Sequence, residues 1–173
     1  MRTSELQTGE YAPYFQPYID AFGNGDLMEE LEISLHEFIR FVQEVPLGKH
    51  DFRYADGKWT LKDIIQHLID AERIFAYRAL RIGRGDQTAL PGFEEDDYVL
   101  AAHANERHLK HLLEEFAAVR HATLLLYKGF SEAELRRVGT ASGRNISVRA
   151  LGFITVGHLR HHTRVFAERY LSI

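Results

Sequence analysis

Four stretches of this chain repeat their apolar residues at steps of three and four, the period of about 3.6 that commits a segment to a helix with one buried face. The first runs from about Leu27 to Val45. Leu31, Leu35, Phe38, Ile39 and Val42 share one side, Glu29, Glu30, Glu37 and Arg40 face out, and Pro46 and Gly48 end it. In the second, Thr60 offers an N-cap oxygen with Asp63 three residues on, and Leu61, Ile64, Ile65, Leu68, Phe75 and Ala79 repeat up to about Ile82. The third, from about Asp97 to Lys128 with Leu109, Leu112, Phe116, Thr123 and Tyr127, is the longest rod expected. Ser131 to Glu134 is a capping box for a short helix, Gly139 to Asn145 reads as a turn region, and Ser147 caps the last rod. Little else looks extended. The fold class expected is all-α: an up-down-up-down four-helix bundle over residues 27–173, with short extra helices in the connections. Residues 1–26, with Pro13, Pro17, Gly23 and Gly25, form an irregular lead-in packed on that bundle.

A chain of 173 residues, 45% apolar and without a low-complexity linker, folds around one core. The formal charge of -4 gives no general attraction for nucleic acid. Arg78, Arg81 and Arg84 are a local basic cluster, which we read as a solvated helix end. No apolar run approaches the roughly 18–20 residues that span a bilayer, and the polar start from Met1 to Glu5 has no signal-peptide core behind it, so a cytoplasmic location is expected. The absence of cysteine excludes disulfides, a thiolate nucleophile and sulfur-ligated zinc. Any metal must be held by His, Asp or Glu, and any thiol chemistry requires a thiol that arrives as substrate.

The last rod carries the most informative residues. Val148, Leu151, Thr155, His158, His162 and Val165 lie on one stripe, so two imidazoles one turn apart stand where a core helix places Leu or Val. A polar ring buried without a partner costs roughly 1–3 kcal/mol, and a shared metal accounts for both rings at once. His67, at the edge of the stripe of Ile64, Leu68 and Phe75, is the leading third donor. Three imidazoles leave a position open for water or substrate, as in catalytic zinc sites. The pair lacks the glutamate that zinc proteases place after their first His, since Leu159 stands there, so peptide hydrolysis of that kind is not expected. Asp63 and Asp70 are the carboxylates able to orient an imidazole through its other nitrogen, although Asp63 equally suits a helix cap. His161 points about 100° away from its neighbour. His103, His111 and His121 read as solvated, His36 and His50 as surface or loop, and His108 as either a core or a pocket group.

The run Trp59-Thr60-Leu61-Lys62-Asp63-Ile64-Ile65-Gln66-His67-Leu68, followed by His158-Leu159-Arg160-His161-His162, resembles the DinB superfamily, the DinB/YfiT-like metalloenzymes, from about Leu27 to Leu171. The resemblance implies a four-helix bundle with a divalent metal, zinc or nickel or iron, on His67, His158 and His162, and a homodimer. Characterised relatives include transferases and isomerases that use low-molecular-weight thiols such as bacillithiol or mycothiol. Many other members are described only as metal-dependent hydrolases. The implied function is therefore a metal-dependent transferase that activates such a thiol at an open three-histidine site and acts on a small molecule. The alternatives are a hydrolase with metal-bound water and a non-catalytic stress-associated protein with a structural metal. One departure concerns the pocket: a Gly-Gln pair commonly follows the second ligand of the last helix, whereas Thr163-Arg164-Val165 follows here.

Overall fold

A computed structural model describes residues 1–171; Ser172 and Ile173, the end of the 27–173 bundle segment, lie outside the described residues. The elements in chain order are α1 (Gln16–Phe22), α2 (Leu27–Glu44), α3 (Leu61–Gly83), α4 (Glu95–Ala102), α5 (Leu109–Lys128), α6 (Glu132–Leu135), β1 (Val138–Ala141), β2 (Arg144–Ser147) and α7 (Val148–Phe166). A π-helical turn, Ala167–Leu171, extends α7. The caps read from the sequence are formed. Thr60 and Asp63 exchange side-chain-to-backbone bonds, and Ser131 and Glu134 do the same. Ser147 accepts from the Ala150 amide, and Asp26 accepts from Met28 and Glu29.

The rods α2, α3, α5 and α7 make the four-helix bundle, each of α2 and α3 packing on both α5 and α7. Their contacts give the directions. Asp63 meets Asn105, Gln66 meets Arg107 and Gly83 meets Phe130, so α3 and α5 run parallel. Phe41 packs on Phe166 and Leu27 lies beside Gly152, so α2 and α7 also run parallel, while Phe38 on Phe116 and Leu31 at Arg120 set α2 against α5. The order is up, down, down, up rather than strictly alternating. The cause lies in the connection from Arg84 to His108, which is long enough to carry the chain back to the end where α3 began.

Two further expectations change. The third rod is broken, because His103 adopts a left-handed backbone (φ 49°) that stops α4, and a single 3₁₀ turn, Ala104–Glu106, precedes α5. The longest rod is therefore α3, with 23 residues. The turn region is in fact a hairpin: Ser142 and Gly143 take φ of 51° and 70°, the two-residue turn that matches strand twist. Leu90 bridges to Ala141 and Tyr11 to Ile146, so the hairpin ties both the α3–α4 connection and the N-terminal segment to the end of the bundle.

The core forms two contiguous apolar clusters. One surrounds the first half of α7 with Phe22, Leu27, Leu31 and Ile146; the other surrounds its second half with Phe38, Val42, Ile65, Leu112 and Phe116. The N-terminal segment contributes α1, which crosses α7 at Gly157. Glu10 straps it further, accepting from Ser147 Oγ (2.8 Å) and Arg149 Nε (2.7 Å). Beside the clusters, Arg120 donates to both carboxylate oxygens of Glu72 (2.8 and 2.9 Å), to Leu31 O and to Ser34 Oγ, so one buried guanidinium fastens α5 to α3 and α2.

Candidate metal centre

Because α3 and α7 run in opposite directions, the first turns of α3 face the last turns of α7, and His67 meets His158 and His162. His158 Nε2 lies 3.1 Å from His67 Nε2 and 3.1 Å from His162 Nε2. The candidate ligand atoms all fall within 4.8 Å of one another. Nitrogens about 2.1 Å from a common centre and about 90–109° apart would be separated by about 3.0–3.4 Å, a range into which the two 3.1 Å separations at His158 fall. Three Nε2 atoms turned on each other carry more lone pairs than shared protons can satisfy. A positive ion at their focus would resolve the conflict.

Burial first, and neighbouring imidazoles after it, push these rings away from the protonated state. His67 is lowered to about 4 by burial, opposed by the Asp96 charge; His162 to about 3 by burial with His67 and His161; and His158 well below the ordinary range by burial with His162 and His67. Neutral imidazole is the form that binds metals.

The surroundings fix the rings. Trp59 packs 4.7 Å from His67 and stacks on His162, and its indole donates to Asp96 Oδ1 (3.1 Å), which supplies the partner a half-buried indole needs. Tyr18 on α1 stands edge-on to both His158 and His161, and Phe75 edge-on to His158. Burial, then the neighbouring Tyr14 and Glu95, raises the Tyr18 hydroxyl above its ordinary pKa and keeps it protonated. One side of the cluster opens onto a cavity of about 400 Å³, roofed by α1, the α3–α4 connection and the hairpin turn.

The three ligand candidates named from the sequence are thus brought together. Asp63 and Asp70 are not brought to them: Asp63 bonds Thr60 N and Asn105 Nδ2, and Asp70 accepts from Gln66 Nε2, so neither touches an imidazole. His161 stays outside the cluster but lines the cavity. His108 is exposed at the start of α5 and belongs to neither core nor pocket; His36, His103, His111 and His121 are exposed, and His50 is half-buried with Nε2 at Val45 O. Of the basic cluster, Arg81 pairs with Asp86 and Arg84 with Glu134, but Arg78 is buried and lines the cavity. Sequence reading missed it, although the signal was there. His67, Ala71, Phe75 and Arg78 follow at steps of four, four and three, which returns Arg78 to within about 20° of the His67 face. Tyr18, Ser142 and Arg144 reach the cavity from distant segments, and no local pattern announces them.

An antiparallel helix pair converges three imidazoles beside a partly open cavity inside a four-helix bundle, which makes this a three-histidine bundle protein. The chain belongs to the DinB superfamily, which it matches over residues 30–166. It is 30% identical over 145 residues, 75% of this chain and 80% of the other, to a protein of Geobacillus thermodenitrificans (strain NG80-2) named "Putative metal-dependent hydrolase". Its fold is similar to that of YfiT from Bacillus subtilis, described as a probable metal-dependent hydrolase with an unusual four-helix bundle topology (TM-score 0.76, 16% identity, 84% of this chain and 85% of that one). It is also similar to a mycothiol-dependent maleylpyruvate isomerase (TM-score 0.62, 15% identity), 86% of this chain matching 62% of that longer one. Among the described residues no helix is long and apolar enough to cross a membrane.

Proposed function

We propose that the protein is a metal-dependent enzyme in which His67, His158 and His162 hold a divalent ion, zinc or nickel or iron, and in which a low-molecular-weight thiol is activated and transferred to a small electrophile. The observation that carries the reading is the convergence of three imidazoles, His158 Nε2 lying 3.1 Å from both His67 Nε2 and His162 Nε2 and all three ligand atoms within 4.8 Å of one another, beside a cavity of about 400 Å³. A bound ion there supplies Lewis acidity and lowers the pKa of a thiol or water placed in its open position. The chain's own residues do the rest. Burial holds the imidazoles neutral, Trp59 and Phe75 shield them from bulk water, and the Tyr18 ring, edge-on to His158, walls the cavity beside them. The chain has no cysteine, so the thiol enters as a cosubstrate, and the cavity is large enough for one.

A second reading, hydrolysis with water in the open position, is favoured by the name of the Geobacillus relative. Metal analysis of purified protein tests the common core. Bound divalent metal near one equivalent is expected, with at least about a tenfold loss of affinity in His158→Ala; an unchanged metal content in that variant overturns the assignment. Turnover of simple electrophiles with and without a bacillithiol-like thiol separates the readings, since only the transferase requires added thiol. The resemblance also supports a homodimer in the cytoplasm. Light scattering on the purified protein is expected to give twice the 20.0 kDa chain mass, and a monomer would refute the dimer.

A further inference from the structure

The described residues contain three buried arginines, and two of them have a carboxylate. Arg120 is matched by Glu72 and Arg149 by Glu10. The third, Arg78, is 5% exposed and has no acidic partner among the described residues. Its Nη2 donates to Pro91 O (2.8 Å) and Ser142 Oγ (2.9 Å), neutral acceptors that fix the guanidinium in place and, among the described residues, leave Nε and Nη1 without a protein partner and open to the cavity. Burial alone lowers its pKa, with no opposing charge nearby to raise it. An uncompensated guanidinium is costly to bury, and removing one partner from a buried pair costs about 3–5 kcal/mol. Arg78 lines the same cavity as the three histidines.

We propose that Arg78 is the anion-binding residue of this cavity, holding a carboxylate or phosphate at one end of a small substrate whose reacting end lies at the histidines. The two ends are set by α3. His67 and Arg78 are eleven residues apart on one face, roughly 16 Å between Cα atoms, and an arginine on a helix leans back toward the N-terminus, here toward His67. The substrate is thus a molecule in which several bonds separate the acidic group from the reactive one. The mouth carries Glu94, Glu95 and Arg144, all exposed and solvent-screened, so the buried charge dominates recognition. Planar guanidinium donors match both oxyanions, and the aromatic wall of Phe75, Tyr18 and Trp59 accepts an apolar body.

This assignment rests on the metal-centre reading only for what happens at the reacting end, and its test keeps the two apart. Benzoate, phenyl phosphate and the neutral benzamide are titrated into the full-length protein as purified, with binding followed by NMR shifts of the Tyr18 and Phe75 rings. Either anion is expected to bind more tightly than benzamide, with the stronger one identifying the group. Arg78→Gln, which keeps a donor for Pro91 and Ser142 but loses the charge, is expected to weaken that anion about tenfold or more and leave benzamide unchanged, and Arg78→Lys to restore part of the loss. The anion preference is expected to persist in His158→Ala, so a failed metal assignment leaves this one standing. Equal binding of all three probes, no binding, or anion affinity unchanged in a folded Arg78→Gln overturns it. If Arg78→Gln fails to fold, the probe preference of Arg78→Lys and of Ser142→Ala decides: an anion preference unmoved in both overturns the assignment.

Discussion

Glu72→Ala is expected to destabilise the protein by about 3–5 kcal/mol, because it leaves the Arg120 guanidinium charged and buried with Nε and Nη2 unpaired. Arg120 is 0% exposed, so water cannot replace the lost carboxylate without opening the contact among α2, α3 and α5. For a chain of this size the loss corresponds to a fall in Tm of roughly 6–20 °C. Adding Arg120→Met removes the stranded charge and is expected to recover a large part of the stability, since a buried ion pair replaced by apolar side chains of similar volume is often neutral. Urea denaturation of the wild type, both single variants and the double variant measures the coupling. A Glu72→Ala loss below about 1 kcal/mol, the level of an exposed pair, would show that the guanidinium finds other partners.

The second large effect is expected at Gly157. A Cβ there would fall on the backbone carbonyl of Tyr18, which no side-chain rotamer can relieve, so α1 must lift away from α7. Gly157→Ala is expected to cost about 1–3 kcal/mol or more and to displace Tyr18 from its edge-on contacts with His158 and His161. At Gly152 the atoms in the way belong to the side chains of Leu27 and Tyr127, which can shift, so Gly152→Ala is expected to cost less. Thermal melts rank the two. Hydrogen exchange on α1 then tells where the strain goes: faster exchange is expected in Gly157→Ala alone, and unchanged exchange in α1 would mean that the crossing relaxes elsewhere.

Helices and caps are local, so α2, α3, α7 and the Thr60, Ser131 and Ser147 caps follow from periodicity and hydrogen-bonding chemistry in short windows. The three histidines were legible for a related reason: polar rings on an apolar stripe need a partner, and two such stripes were present. What escaped depends on distant segments or on backbone conformation that side-chain pattern does not encode. The break at His103 needs a left-handed residue inside a helical pattern, and the hairpin around Ser142 is held by Leu90 and Tyr11 from elsewhere in the chain. Arg78 was misread because charge near a helix end normally means solvent, whereas here the α3–α4 connection folds over it and Pro91 O accepts its hydrogen bond.

The up, down, down, up order of the rods has a kinetic consequence. Neighbours in sequence, α2 with α3 and α5 with α7, sit across the bundle from each other, so no two-helix hairpin can gather its own apolar face before the rest of the chain arrives. Every large interface joins the first half of the molecule to the second, which demands costly loop closure before any reward. Folding is expected to be slower than for a bundle of adjacent hairpins and to proceed without a stable half-formed stage, so the three-histidine cluster assembles in the same all-or-none event as the core.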